Sequence, residues 1–408
     1  MKIFKPNTTF IAIAGMAVSS LFLSCDAEEQ ITETQNLKND SSVLQESQSQ
    51  AISGQYIVTL NEAASKSIKN DNSYKGRLAN VNAFVNEVIA APHMKSTSVK
   101  QVYGFAMTGF TATLSPEQLK SLQSDSRVAS VEPDVMVKLS VAKEETTAMT
   151  FVAQNTPYGI TRVNGGVDGT GKTAWIIDSG IDLDHPDLNV DVDRSRSFVP
   201  GEPSPDDQNG HGSHVAGTVA AIDNGIGVIG VAPNAKVVAL KVLGADGSGA
   251  TSGIIAALDY VAAVGEPGDA ANMSLGPAVP ILGINSALDN ATTRVGAKGI
   301  GVAIAAGNST SIANLYSPAR ASGENVYTVS AMDSNDQFAY FSNFGSVVDY
   351  CAPGVSVYST SMQGGYATLS GTSMAAPHVC GLLLLGDLRT DGNVFLDPDF
   401  NPDPIAVH

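Results

Sequence analysis

The chain has 408 residues, 43% of them hydrophobic and 6% aromatic, with a formal net charge of −17. That length calls for two or three domains. The acidic balance argues against nucleic acid as a partner, and three cysteines exclude a multi-bridge disulfide framework.

The charge is uneven. Residues 1–150 carry 15 acidic and 13 basic groups, and residues 151–408 carry 25 and 10, which favours solubility and cation binding in the second part. Lys2 and Lys5 precede an apolar run from Phe10 to Leu23. The run is short for a membrane span and of the right length for a secretory leader, so residues 1–24 read as a signal peptide. Ser24-Cys25 resembles a bacterial lipobox, although Leu23 stands where that motif prefers a small residue. The resemblance implies lipidation of Cys25 and an exported lipoprotein held at the outer membrane or cell surface. Simple secretion is the alternative. Residues 25–53 are rich in Gln, Ser, Asn, Thr and Glu and read as a flexible tether.

From residue 54 the pattern becomes that of a folded unit. A strand-like run, Tyr56 to Leu60, precedes Leu78, Val81, Phe84, Val85, Val88 and Ile89 at helical spacing. Strand-like "VKQVYGFA" and "GFTATL" follow. "SPEQLKSL" then starts a helix with Ser115 as cap, Pro116 at the first position and Gln118 at capping-box spacing. "VASVEPDVMVKL" closes the unit. The order β-α-β-β-α-β over residues 54–139 predicts a small ferredoxin-like α+β domain. Residues 140–152 are a polar linker.

Beyond it, short apolar runs ("KTAWIID", "AKVVALKVL", "AANMSLG", "GVAIAAGN", "NVYTVSA") alternate with helical ones ("SHVAGTVAAI", "TSGIIAALDYVAAV", "INSALDNATTRVGAKG"). This predicts an α/β domain over 153–390, a parallel sheet with helices on both faces. Polar residues ending its strands would line one edge, where such sheets carry their sites. The tail at 391–408 is Asp- and Pro-rich and reads as loop. Cys351 and Cys380 either pair or stay as buried thiols; spacing does not choose.

Four residues stand out as chemistry. Asp178 ends a strand in "WIIDSGID", His211 opens a helix in "NGHGSHVAGT", Asn308 ends a strand in "AIAAGNS", and Ser373 opens a helix in "GTSMAAPHVCG". A serine hydroxyl needs an imidazole to take its proton, and the imidazole needs a carboxylate to fix its tautomer. Singly, each residue also reads as a turn or cap. His214 with Asp178 and His185 invites a metal reading, but "HGSH" lacks the glutamate and spacing of a zinc-peptidase helix. His214 and His378 read as packing residues, and no Gly-x-Ser-x-Gly elbow is present.

"DSGID", "HGSHVAGT" and "GTSMAAPHV", in that order, resemble the three signature blocks of the subtilisin-like serine peptidases. "AAGN" is similar to their oxyanion-hole strand, "SLG" to their substrate-binding strand, and residues 54–139 to their inhibitory propeptide. The resemblance spans residues 153–388. It implies Ser373 as nucleophile, His211 as general base and acid, Asp178 as the residue orienting His211, and Asn308 as oxyanion donor beside the Ser373 N–H. Substrate would add as a strand between Gly247-Ser248-Gly249 and Ser274-Leu275-Gly276. Many relatives carry an aromatic after "GSG", whereas this chain has Ala250 and Thr251, implying weaker selection four residues before the cut. "AAIDNGIGVIGVAP" resembles a structural calcium loop, with ligands from Gln154, Asp187, Asn224 and the carbonyls of Ile222, Ile226 and Val228. No catalytic cofactor is implied.

The expectation is therefore an exported serine endopeptidase made as a self-processing zymogen, acting on proteins or peptides and inhibited by its own propeptide. The linker cut falls near Ser140 by spacing from "VEPD", or near Ala153 by spacing from "AQNTPYG". Rival readings are an inactive binding module of the same fold and a serine esterase or amidase. In the helix at Ser373, Thr372 is expected as the cap, and Pro377 should cost a backbone bond and kink the helix.

Overall fold

The computed structural model describes residues 51–90, 98–139, 142–147, 153–277 and 284–408. The signal segment, Cys25 and nearly all of the tether lie outside them.

The first domain comprises β1 (Ala51–Leu60), α1 (Glu62–Ser67), α2 (Tyr74–Ile89), β2 (Val99–Tyr103), β3 (Gly109–Thr113), α3 (Pro116–Gln123) and β4 (Val128–Lys138). Its strands form an antiparallel sheet in the order β2-β3-β1-β4. Val81, Val85, Val88 and Ile89 of α2 pack with Val58, Phe110 and Ala112 of the sheet, so the helical spacing read from the sequence is the buried stripe. The capping box of α3 forms in both directions: Gln118 N donates to Ser115 Oγ and Ser115 N to Gln118 Oε1. The extra helix α1 escapes periodicity because it spans only six residues; the Asn61 side chain starts it by accepting the Ala64 N–H.

β5 (Ala142–Thr147) belongs to the expected linker. The second domain follows with α4 (Tyr158–Arg162), β6 (Thr173–Asp178), β7 (Arg196–Ser197), α5 (His211–Ala220), β8 (Lys236–Lys241), β9 (Ser248–Ala250), α6 (Thr251–Val264) and β10 (Ala270–Met273). Then come α7 (Ser286–Gly296), β11 (Gly301–Ala305), β12 (Val326–Met332), β13 (Tyr350–Pro353), β14 (Val357–Thr360), β15 (Tyr366–Ser370), α8 (Thr372–Leu385), β16 (Arg389–Asn393) and β17 (Pro404–Val407). The main sheet runs β16-β17-β13-β12-β11-β10-β6-β8-β7, parallel except where β16 meets β17. Alternate residues of β6 serve two cores. Ala174 and Ile176 pack with α5 and α8, and Trp175 and Ile177 with α6 and α7. A strand buried on both faces reads as a near-continuous apolar run, which is why "AWII" shows no alternation.

Two sequence expectations change here. The tail is not loop: β17 pairs in parallel with β13 and buries Ile405, Ala406 and Val407. Its Pro and Asp residues fall mostly between β16 and β17, with Asp391 and Pro404 inside the two strands. The helix carrying Ser373 begins at Thr372 itself, and Pro377 lies inside an unbroken α8. Cys351 and Cys380 are both buried free thiols. Among the described residues no helix is long and apolar enough to cross a membrane.

The two domains meet through carboxylates at helix ends. Asp134 Oδ1 accepts the Ser252 N–H at 3.0 Å at the start of α6, and Glu132 Oε2 accepts the Ser286 N–H at 2.7 Å at the start of α7. Both sit where unpaired N–H groups and the helix dipole favour negative charge. In the opposite direction, Asp259 of α6 accepts the N–H groups of Gly104, Phe105 and Ala106 at 2.6–3.1 Å.

Candidate active site

Parallel strands deliver the site residues to one edge of the sheet. Asp178 is the last residue of β6 and His211 the first of α5, and both are buried. His211 Nδ1 lies 2.7 Å from Asp178 Oδ1, so its N–H points at the carboxylate and Nε2 is left as the basic nitrogen. The approach requires a glycine next to the histidine. A Cβ on Gly212 would collide with the Gly180 carbonyl oxygen, holding the helix away from β6.

Asp207, which the sequence reading passed over, fixes the mouth of α5. Its Oδ1 accepts from Asn209 N (2.9 Å), Gly210 N (3.0 Å) and Ser179 Oγ (2.9 Å), and its Oδ2 from Ser213 N (2.9 Å) and Ser213 Oγ (2.6 Å). The signal was present in "DQNG": an aspartate two residues before an Asn-Gly turn that leads into a helix.

Ser373 is the second residue of α8, 5% exposed. Its hydroxyl donates to the Ser274 carbonyl oxygen at 3.3 Å, and His211 Nε2 is buried without a hydrogen-bond partner. Asn308 follows β11, and its Oδ1 accepts Thr372 N and Thr372 Oγ1. Ser274, Leu275, Gly276, Asn308, Thr372 and Ser373 line one pocket together with Lys138 and Leu139 of the first domain.

The other expected substrate segment is occupied by that same domain. β4 pairs antiparallel with β9, Met136 opposite Ala250, Val137 opposite Gly249 and Lys138 opposite Ser248, and Leu139 N donates to Gly247 O at 3.0 Å. Gly249 has a steric reason, since a Cβ there would run into the Val242 carbonyl oxygen. Leu139 also lines a second pocket with Gly247 and His211. On the far side, β5 pairs antiparallel with β15, Ala142 opposite Ser370. Ser140 and Val141 lie outside the described residues, but the chain on either side of them is held in strands.

His214 and His378 are not at this chemistry. His214 Nε2 bonds the Val357 carbonyl at 2.9 Å and His378 Nδ1 the Met374 carbonyl at 2.8 Å. Burial pushes their pKa values down to about 3 and about 4, so both are neutral packing residues. His185 bonds Gly365 O instead of joining a metal cluster.

The six residues expected around calcium do come together. Asp187 is fully buried; its Oδ1 accepts Asn224 Nδ2 at 3.1 Å, and its Oδ2 accepts Val228 N at 2.9 Å and Tyr366 OH at 3.2 Å. Gln154 Oε1 accepts the N–H groups of Asn224 and Gly225, and Ala153 and Asn155 bridge to Ile226 and Val228. Ile222 N bonds the Asp187 carbonyl. Burial lifts the Asp187 carboxyl to about 6, and all its hydrogen-bond partners are neutral donors. Among the described residues no group of three or more His, Cys, Asp or Glu could hold a metal. A set of one carboxylate, two amides and three carbonyls still suits calcium, a hard cation satisfied by neutral oxygens. It requires the Asn224 amide to turn its oxygen toward Asp187.

Comparison with known proteins gives the family of both domains. The family model described as "Subtilase family" matches residues 169–386, and that described as "Peptidase inhibitor I9" matches residues 55–140. The chain is 44% identical over 278 residues to an alkaline protease of Alkalihalobacillus alcalophilus, covering 67% of each chain. It is 47% identical over 239 residues to Subtilisin BL of Lederbergia lenta, covering 57% of this chain and 84% of that one. The solved structure of a cold adapted subtilisin-like serine proteinase is 37% identical and superposes with a TM-score of 0.53, covering 62% of this chain and 97% of that one. The chain belongs to the subtilase family: it is a serine endopeptidase with an I9 inhibitor-type propeptide domain ahead of its catalytic domain.

Proposed function

We propose that this subtilase is exported and cuts its own linker, using Asp178, His211 and Ser373 as its catalytic triad. Residues 1–24 act as the signal peptide and 25–53 as the tether, with Cys25 as the lipidated anchor. The propeptide domain spans 54–139, the processing linker 140–152, the catalytic domain 153–390 and the tail 391–408. The observation that carries the reading is β4 running along β9 into a pocket lined by Ser373 and Asn308, with the chain resuming as β5 on β15. A peptide chain held as an added strand on both sides of the serine is bound as a substrate is bound. This favours proteolysis over esterase chemistry. It also favours a cut at Ser140 over one at Ala153, which is bridged to Ile226 of the calcium loop.

In the reaction, rotation of the Ser373 side chain takes its hydroxyl from the Ser274 carbonyl to His211 Nε2. The proton passes to Nε2 as Oγ attacks the scissile carbonyl carbon, and Asp178 steadies the imidazolium through Nδ1. The oxyanion is received by the Asn308 amide and the Ser373 N–H, one of the unpaired donors at the start of α8. The imidazolium then protonates the leaving amine as the C–N bond breaks, and water repeats the sequence on the acyl-enzyme. Calcium, held by Gln154, Asp187, Asn224 and the carbonyls of Ile222, Ile226 and Val228, would contribute stability.

The test is production of the full chain and its Ser373→Ala variant. The expected result is an N-terminus close to residue 141 and casein hydrolysis for the wild type, with an uncut, inactive variant that no fluorophosphonate labels. Labelling of the wild type without proteolysis would point to an esterase. Membrane fractionation of a Cys25→Ala variant tests the anchor, and unchanged membrane association would remove it.

A further inference from the structure

In a helix the carbonyl of residue 373 accepts the N–H of residue 377, but residue 377 is proline and has none. Helix α8 stays continuous all the same. A buried carbonyl left without a donor is costly, and here a side chain just past the end of β10 replaces the missing one. Ser274 Oγ donates to Ser373 O at 2.7 Å, and Asn272 Nδ2 donates to Ser274 Oγ at 2.8 Å. Asn272 and Ser274 are fully buried.

The direction of this relay is fixed by proton counting. A hydroxyl has one proton. With the Asn272 amide donating into its lone pair, that proton has Ser373 O as its target. The opposite amide orientation would place Oδ1 against the hydroxyl and ask for the same proton twice. The orientation leaves Asn272 Oδ1 buried without a partner. The arrangement is therefore held against a penalty.

We infer that Ser274, set by Asn272, is a positioning residue for the nucleophile. Its side chain holds the Ser373 carbonyl while its own backbone carbonyl receives the Ser373 hydroxyl at 3.3 Å. One residue thus grips Ser373 at two points, fixing the peptide that follows the nucleophile and limiting its activation to a side-chain rotation. Pro377 is what keeps the slot on Ser373 O open. The inference rests on the reading of Ser373 as nucleophile.

The experiment places Ser274→Ala in the full-length precursor, alone and with Pro377→Ala. It measures the rate of self-cleavage, then kcat and KM of the matured enzyme on a peptide p-nitroanilide. Alone, Ser274→Ala should lower kcat about tenfold with KM changed by less than about twofold, the effect of one hydrogen bond on the transition state. In the Pro377→Ala background the same substitution should cost less than about threefold, because the new N–H at position 377 bonds Ser373 O itself. An equal loss in both backgrounds, a loss carried by KM, or no loss would overturn the inference. Should Ser274→Ala fail to fold, Asn272→Ala in the same two backgrounds makes the same comparison, with a smaller loss expected. Fluorophosphonate labelling that persists in Ser373→Ala would strike the nucleophile assignment instead, so the two failures are distinguishable.

Discussion

Thr372 and Asn308 are joined twice: Asn308 Oδ1 accepts the Thr372 N–H at 2.8 Å and the Thr372 hydroxyl at 2.9 Å. The residue beside Ser373 therefore holds the oxygen end of the amide and turns its nitrogen end away from itself. Asn308→Ala should lower kcat about 10²–10³-fold with little change in KM, a range measured on subtilisin, a member of this family. Thr372→Val removes one of the two bonds and should cost about tenfold. Steady-state kinetics on a peptide p-nitroanilide check both.

Asp207 gathers five donors at the mouth of α5, and its removal would leave them facing a cavity. Asp207→Ala should lower stability by about 3 kcal/mol and Tm by about 10 °C. Activity should fall with it, because the loop that sets His211 loosens. Calorimetry of the protein inactivated by Ser373→Ala separates the two effects.

The propeptide contact should depend on pH through Asp259. Burial raises its carboxyl to about 6, against the partial compensation of the backbone N–H groups of residues 104–107. Once the propeptide leaves and water reaches it, the value should return toward the ordinary ~3.9. The raised value belongs to the complex, so binding takes up a proton. This contribution is fully present below about pH 4 and is lost as pH rises through about 6. Release of activity after self-cleavage should accordingly speed up between pH 4 and 6, and Asp259→Ala should flatten that rise. A rate that falls over this interval contradicts the assignment.

Calcium should raise stability, and with it Tm, as the logarithm of its concentration above Kd, by about 2.7 kcal/mol at a hundred times its Kd. The increment should vanish in Asp187→Ala. Equal melting temperatures with calcium and with excess chelator would remove the site.

The tail carries structural weight out of proportion to its composition. Ile405 is 1% exposed and packs with Met332, Cys351 and Val394. Ile405→Ala should cost about 2–5 kcal/mol, read from denaturant unfolding. Truncation after Leu388 should cost more.

Much of this could be read from the chain. Apolar runs bounded by Gly, Asp and Asn marked β6, β8, β10, β11 and β12 of the main sheet, since strands buried on both faces are mostly apolar. The capping box at Ser115 and the helical stripe from Val81 to Ile89 appeared where local rules placed them. The elements missed were those without a local signature. They include the six-residue α1 and five-residue α4, the short strands β7, β13, β14, β15 and β16, the strand in a Pro-rich tail, and the linker strand β5, which needs β15 for a partner.

The same division runs through the site. Sequence alone determined which side chains are available and which elements carry them: Asp178 at a strand end, His211 and Ser373 at helix starts, Asn308 after a strand. Those placements follow from local backbone chemistry, in which short polar residues end apolar strands and open helices. Only the tertiary structure decided what holds them. Ser179, next to Asp178, joins Asp207 at the mouth of the His211 helix, Thr372 turns Asn308, and Ser274 fills the bond that Pro377 leaves open. Each of these joins residues brought together only by packing, through hydrogen bonds whose worth depends on burial, and no spacing along the chain records them.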